Sequence, residues 1–537
     1  MKVNLASLKD RAGWAAAGVK LPSYDVEAMR RATKDAPIWV HFGAGNIFRA
    51  FVAALQQRLL DEGLADRGIV AADTFDVDNI RMFYGGYDNR TMIVTLNADA
   101  TIDKEIIASV SEALVAQPAE AADFERLKEI FAAPSLQMVS FTITEKGYAL
   151  RGLDGEYQSV VAADLANGPA SARHAMSIVA ALLLHRYENG AAPLAVVSMD
   201  NCSHNGEKLR GSVLEIAAGW QKAGFVPAAF VAWVSDEMKV SFPWSMIDKI
   251  TPRPAPAVEQ MLKDADIEEM APIKTPRGTF VAPFVNAERP QYLVVEDRFP
   301  NGRPPLEKAG VYFTDRDTVN KTERMKVTTC LNPLHTALAV YGCLLGYTLI
   351  CDEMKDADLV RLVRRLGYVE GLPVVTDPGI LSPRAFIDEV VEQRLPNPFM
   401  PDAPQRIATD TSQKVGIRFG ETIKSYTAEG RSFDDLVALP LAIAGWLRYL
   451  LGVDDEGKPM ELSSDPMLSE LRAQLSGVTL GSPESCEGKL APILANPVIF
   501  GSDLTATPLA ARIEGYFREE LEGPGAVRRT LQRHIKA

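Results

Sequence analysis

"IWVHFGAGNIFRAFVAALQQRLLDEG", residues 38–63, decides the fold. Its first five residues are an apolar run of the kind that fills a buried strand. Gly43 and Gly45 separate that run from a segment in which Ile47, Phe51, Leu55 and Leu59 recur at helical spacing, with Gly63 as the stop. "GIVAADTFD" (68–76) follows as a second β-prone run that ends in acidic residues. Strand, glycine turn, helix and strand make one βαβ unit.

The pattern continues outward. Further strands are expected at "TMIVTL" (91–96), "LQMVSFTIT" (136–144), "LAVVSMD" (194–200) and "FVAWV" (230–234), separated by helical patterns at 121–132 and 170–188. Such alternation predicts a mostly parallel α/β sheet. Beyond about residue 285 strand-like runs become scarce, and helical patterns fill 334–350, 355–366, 383–394, 433–452 and 505–521. The expected organisation is an α/β domain over residues 1–290 and a mostly helical one over 291–537.

Composition bounds the function. The chain has 537 residues, 47% hydrophobic and 24% charged, which suits two domains with sizeable cores. A formal charge of −13 and the lack of a long basic run argue against nucleic acid as a partner. Five cysteines without a C-x-x-C pair fit reduced thiols in a cytoplasm, and six histidines without ligand spacing give no metal site. The two most apolar stretches are too short, or are broken by Pro440 and Arg448, so no membrane span is expected.

Gly43 and Gly45 stand where a backbone free of side chains can approach a pyrophosphate at a helix N-terminus. The fingerprint is incomplete, because Phe48 takes the third glycine position. Candidate contacts to a dinucleotide are Gly43, Ala44, Gly45, Asn46 and Ile47. Asp73, or its rival Asp76, stands at the strand end where an acceptor for ribose hydroxyls is expected. A carboxylate there repels the extra phosphate of NADP, which favours NAD.

A second polar cluster lies in "KVTTCLNPLHTALAVYG" (326–342). One reading makes Asn332 a helix N-cap, Pro333 the first helical residue, His335 a helix-end residue and Lys326 a solvated charge. The other is chemical. Reducing a ketone requires a proton donor and hydrogen bonds to the developing alkoxide, which lysine, asparagine and histidine supply. Desolvation, or a neighbouring cation such as Arg324, would lower the lysine's pKa into a useful range.

Taken together, "FGAGNIFRA" (42–50), "TITEKGY" (142–148), "VSMDNCSHNG" (197–206), "FPWSMIDKITP" (242–252), "EDRFPNGRPPLEKAGV" (296–311), "ERMKVTTCLNPLHTALA" (323–339) and "RIATDTSQK" (406–414) resemble the long-chain polyol and hexuronate dehydrogenases. That family includes mannitol 2-dehydrogenases, fructuronate reductases and tagaturonate reductases. The resemblance implies an N-terminal Rossmann-like domain binding NAD or NADP, a mostly helical C-terminal domain, and a metal-free active site between them. It further implies that Lys326 is the general acid/base, that Glu323 assists its proton exchange, and that Asn201 and Asn332 hydrogen-bond the reacting oxygen. His335, Arg406, Lys414 and Asp248 are the implied substrate contacts.

Two departures from the family pattern stand out. Five residues rather than four separate Lys326 from Asn332, to be absorbed by a π-bulge or by a break at Pro333. Trp244 replaces a smaller polar residue. The expected function is NAD-dependent reduction of D-fructuronate to D-mannonate by a monomer or small homo-oligomer. The alternatives are a mannitol 2-dehydrogenase, a tagaturonate reductase, or a catalytically silent dinucleotide-binding protein.

Overall fold

The computed structural model describes every residue except Leu153, Arg277, Thr279 and Ala537. It divides into two compact units, one of residues 1–96 and 101–320, the other of residues 97–100 together with Lys321 onward.

The first unit is built on a six-stranded sheet whose paired strands are all parallel. Its strands are β1 (Trp39–Phe42), β2 (Ile69–Asp73), β3 (Val110–Val115), β4 (Met138–Phe141), β5 (Leu194–Ser198) and β6 (Val240–Ser241). Their spatial order is β3-β2-β1-β4-β5-β6. This is the doubly wound order, and chain direction reverses its progress between β1 and β4. Burial on both faces explains why β1 reads as a continuous apolar run. Val40 and Phe42 pack with Phe141 and Leu182 on one face, and Trp39 packs with Met138 and Phe51 on the other.

Strands Tyr292–Glu296 and Tyr312–Thr314 extend this unit past residue 290. Leu293, Val295 and Val311 are buried in the same cluster as Trp39, so these strands belong with the sheet's core. "FVAWV" is not a strand but part of the helix Ala228–Ser235. Pro227 stands at its N-cap, and burial falls on Phe230, Trp233 and Val234, a helical rather than an alternating period.

The second unit is helical around Asn332–Leu344 and Ala438–Tyr449, the second of which is buried along its whole length. Gly445 lets the two approach: a Cβ there would lie 2.7 Å from Tyr341 Cζ. The Tyr341 hydroxyl donates to Leu441 O at 2.8 Å and shares a second hydrogen bond with the Glu520 carboxyl, 2.8 Å from Oε1. Burial raises the Glu520 carboxyl to about 8, and burial with Asp356 and Asp402 nearby raises that of Glu353 to about 9. Both Glu353 oxygens are buried without a hydrogen-bond partner among the described residues.

These two carboxyls give stability a definite pH dependence. Both stay protonated in the folded chain and ionise once unfolded, so their contribution is complete below about 4.5 and is lost as pH rises towards 8 and 9. Each group tilts the unfolding free energy by up to about 1.4 kcal/mol per pH unit inside that window. Glu353→Gln and Glu520→Gln are each expected to flatten the decline seen in chemical denaturation between pH 5 and 9. An unchanged slope in both variants would remove these groups from the balance.

Candidate active site

The glycine turn lies at the carboxyl end of β1, where the strand order reverses. Gly43 has φ of +99°, and a Cβ there would sit 2.2 Å from Thr142 O at the end of β4. Only glycine allows the two strand ends to come so close. At Gly45 the reverse holds, since a Cβ would meet nothing within 4 Å. Gly45 immediately precedes the helical stretch 46–61, at whose start backbone N–H groups and the helix dipole favour an anion. Space, orientation and charge therefore fit a pyrophosphate.

Supporting side chains lock this turn. Asn79 Nδ2 and the Tyr84 hydroxyl donate to Ala44 O at 2.9 and 3.0 Å. Asn46 Oδ1 accepts from Arg49 at 2.8 Å. His41 lies buried between Ser140 Oγ (2.6 Å) and Thr142 Oγ1 (2.8 Å), and the Thr142 hydroxyl donates to Gly43 O at 3.1 Å. Thr142 must then accept from His41 Nε2–H, which sets the tautomer. Burial drives the His41 pKa down to about 3, so the ring is neutral. Phe48, in place of the third glycine, stacks on His41 at 4.3 Å between ring centres.

Asp73 ends β2, as expected. Its carboxylate accepts from the backbone N–H groups of Phe75 (2.8 Å), Asp76 (3.1 Å) and Ala44 (3.3 Å), which ties the loop after β2 to the glycine turn. Burial nevertheless raises its pKa. Asp76 is turned elsewhere and accepts from Thr275 Oγ1 at 3.1 Å.

Asn201 is exposed just beyond β5. The residue before it does the local work: Asp200 accepts from Ile143 N and Thr144 N, each at 2.9 Å, and from the Tyr148 hydroxyl. Thr144 has φ 66° and ψ 160°, a region that β-branched residues avoid, so the carboxylate restrains a strained turn after β4. Asn205 holds the other side, donating to Asp200 O at 2.9 Å and to Ser245 O at 3.0 Å. Asp248 is the buried last residue of strand Ser245–Asp248, opposite Tyr292. Trp244 packs against His204, with ring centres 4.5 Å apart.

In the second unit the extra residue before Asn332 is absorbed in both of the ways open to it. Lys326–Cys330 form a π-helical turn, in which Leu331 N donates to Lys326 O five residues back at 3.1 Å. Leu331 then breaks the helix, at φ −129° and ψ −63°, and a new helix begins at Asn332. Asn332 is thus already helical rather than the N-cap, and no side chain caps this end. Its carboxamide is not spent on the backbone.

Lys326 is 3% exposed, and Glu323 precedes it by one turn. Arg324 is exposed and pairs with Glu421 at 3.1 Å. On the new helix His335 Nε2 meets Asp402 Oδ2 at 2.9 Å, and Asp402 also pairs with Arg406. Burial opposes ionisation of Asp402, but those two partners hold its pKa below the ordinary value. The Lys414 ammonium donates to Thr409 O, and burial with Arg418 nearby lowers its pKa.

These contacts link Asp73 to the glycine turn, and link His335 to Arg406 through Asp402 on the helix that begins at Asn332. Several working residues were not read from the sequence: Asn79, Tyr84, Asp200, Asp402 and Arg418. Asp402 had a usable signal, its i,i+4 spacing to Arg406. The partners of Ala44 carried none, since long-range pairing with a backbone carbonyl leaves no local pattern.

Comparison with known proteins fits this arrangement. Residues 37–308 match the mannitol dehydrogenase Rossmann domain and residues 318–517 the mannitol dehydrogenase C-terminal domain. The chain is 52% identical to a D-mannonate oxidoreductase of Thermotoga maritima over 99% of its own length and 98% of the relative's. It is 30% identical to the D-mannonate oxidoreductase of Escherichia coli K12, covering 82% of this chain and 85% of that one. Among solved structures it resembles Pseudomonas fluorescens mannitol 2-dehydrogenase, in a ternary complex with NAD and D-mannitol, with a TM-score of 0.69, 27% identity and 99% of both chains covered. A catalytic lysine candidate in a π-turn and a glycine turn at the switch point of a doubly wound sheet thus come with full-length similarity, and the chain belongs to the mannitol dehydrogenase family.

Proposed function

We propose that this protein is an NAD-dependent D-mannonate oxidoreductase, interconverting D-fructuronate and D-mannonate in the cytoplasm. The observation that carries the chemistry is the buried Lys326 in its π-turn, followed at once by a helix whose first turn offers Asn332 and His335. The 52% identity to a D-mannonate oxidoreductase supports the substrate class.

The bound nicotinamide cofactor supplies the hydride that reduces the keto carbon. Gly43, Ala44, Gly45, Asn46 and Ile47 cradle its pyrophosphate, and the Asp73 carboxylate disfavours a 2′-phosphate, which selects NAD over NADP. Lys326 gives its proton to the developing alkoxide, and Glu323 passes a replacement from solvent. Asn332 and Asn201 donate hydrogen bonds to the same oxygen. His335, Lys414, Arg406 and Asp248 contact the open-chain substrate. The working form is a monomer or a small homo-oligomer.

Two measurements test these roles. Gly45→Val fills the open side of the turn and is expected to weaken NADH binding, read by fluorescence titration, about tenfold or more with little change in melting temperature. Unchanged affinity would move the pyrophosphate elsewhere. Lys326→Ala is expected to lower kcat for fructuronate by about 10²- to 10⁴-fold while NADH still binds. Wild-type NADH oxidation with fructuronate, tagaturonate and fructose in parallel should favour fructuronate. Preference for fructose would make the protein a mannitol 2-dehydrogenase, and no turnover with any of them would favour a silent binding protein.

A further inference from the structure

Arg418 stands apart from the other cations near the proposed substrate residues. It lies in the π-helical segment Gly416–Gly420 and is partly buried. Its side-chain hydrogen bond among the described residues is from Nη1 to the Thr336 hydroxyl. It pairs with no carboxylate there. Burial alone accounts for the fall of its pKa to about 10, with no acidic neighbour to offset it. A guanidinium taken from water without a counter-ion is costly, and a ligand anion is the ordinary remedy.

Its position is set by the helix that carries Asn332 and His335. The Thr336 hydroxyl that accepts from Arg418 donates in turn to Asn332 O at 2.9 Å, so the guanidinium is tied to the first turn of that helix. Lys414 lies close enough for the Arg418 charge to help lower its pKa, after the larger effect of burial. Arg406, by contrast, is 66% exposed and already neutralised by Asp402, which His335 shares. The family resemblance implied Arg406 and Lys414 as substrate contacts. The charge pattern points to Arg418 and Lys414 instead.

We infer that Arg418 binds the carboxylate of the sugar-acid substrate and thereby sets the preference for a hexuronate over a neutral ketose or polyol. The assignment rests on the hexuronate reading above. The planar fork of arginine suits a carboxylate, whereas a hydroxymethyl group in its place would leave the charge uncompensated. A purely structural role, holding Thr336 and the helix start, is the competing account.

Arg418→Gln and Arg418→Lys separate the two. Arg418→Gln should lower kcat/KM for fructuronate by roughly 30-fold or more, mainly through KM, because a charge-assisted pair is lost. Activity on fructose, NADH affinity and melting temperature should change little, and Arg418→Lys should recover part of the loss. Equal losses on both substrates, or none on fructuronate, would overturn the assignment. Thermal shift of the NADH-saturated protein with sodium D-mannonate against D-mannitol gives a readout free of turnover. Wild type should be stabilised more by mannonate, and Arg418→Gln should erase the difference. If that dependence holds while fructuronate is not reduced, the proposed reaction fails but the anion site stands. If wild type shows no preference for mannonate, the anion site fails.

Discussion

The π-helical turn Lys326–Cys330, closed by the hydrogen bond from Leu331 N–H to the Lys326 carbonyl five residues back, sets where the proposed catalytic lysine stands in the helical unit. A π-turn widens the helix and rotates the residues before it against those after it. Lys326 is buried within this turn, and Asn332 and His335 lie at the start of the next helix. The break at Leu331 completes this, because it frees the Asn332 side chain from capping. The apolar run after it is buried from Leu338 to Leu344 and holds that end in the unit's core. Substitutions in that run act on the site through packing, without touching substrate.

The first unit depends on a comparable constraint, the contact distance between Gly43 and the Thr142 carbonyl. Two strand ends can lie this close only when one residue lacks a side chain. Around that point neutral and charged groups divide the work. His41, made neutral by burial, orders Thr142 and the Gly43 carbonyl, while Asp73 and Asp200 hold the loops after β2 and β4 through backbone N–H groups. These contacts preorganise the turn while the side of Gly45 stays open.

Much of this was legible in the sequence for physical reasons. Strands buried on both faces are continuous apolar runs, so β1, β2, β4 and β5 stood out, and the glycine turn between a strand and a helix named its own position. "FVAWV" misled because Phe, Val and Trp favour strands, whereas tertiary packing buried it at helical spacing behind Pro227. The strands at 292–296 and 312–314 were missed because they are short and depend on a core built elsewhere in the unit. Burial of Lys326 and exposure of Arg324 could not be told apart from spacing alone, since both sit within one turn. The pairing of Asp402 with His335 and Arg406, and the lack of a carboxylate partner for Arg418 among the described residues, are long-range facts of charge that only coordinates supply.

In the proposed mechanism the π-register at Lys326–Cys330 places the lysine for proton transfer. Deleting Val327, which restores four residues between Lys326 and Asn332, tests it most directly when NADH binding and fructuronate turnover are measured on the same folded sample. The account predicts retained NADH binding with turnover reduced by about 10²-fold or more, the usual cost of a misplaced acid. Turnover close to wild type in the folded deletion variant would contradict it.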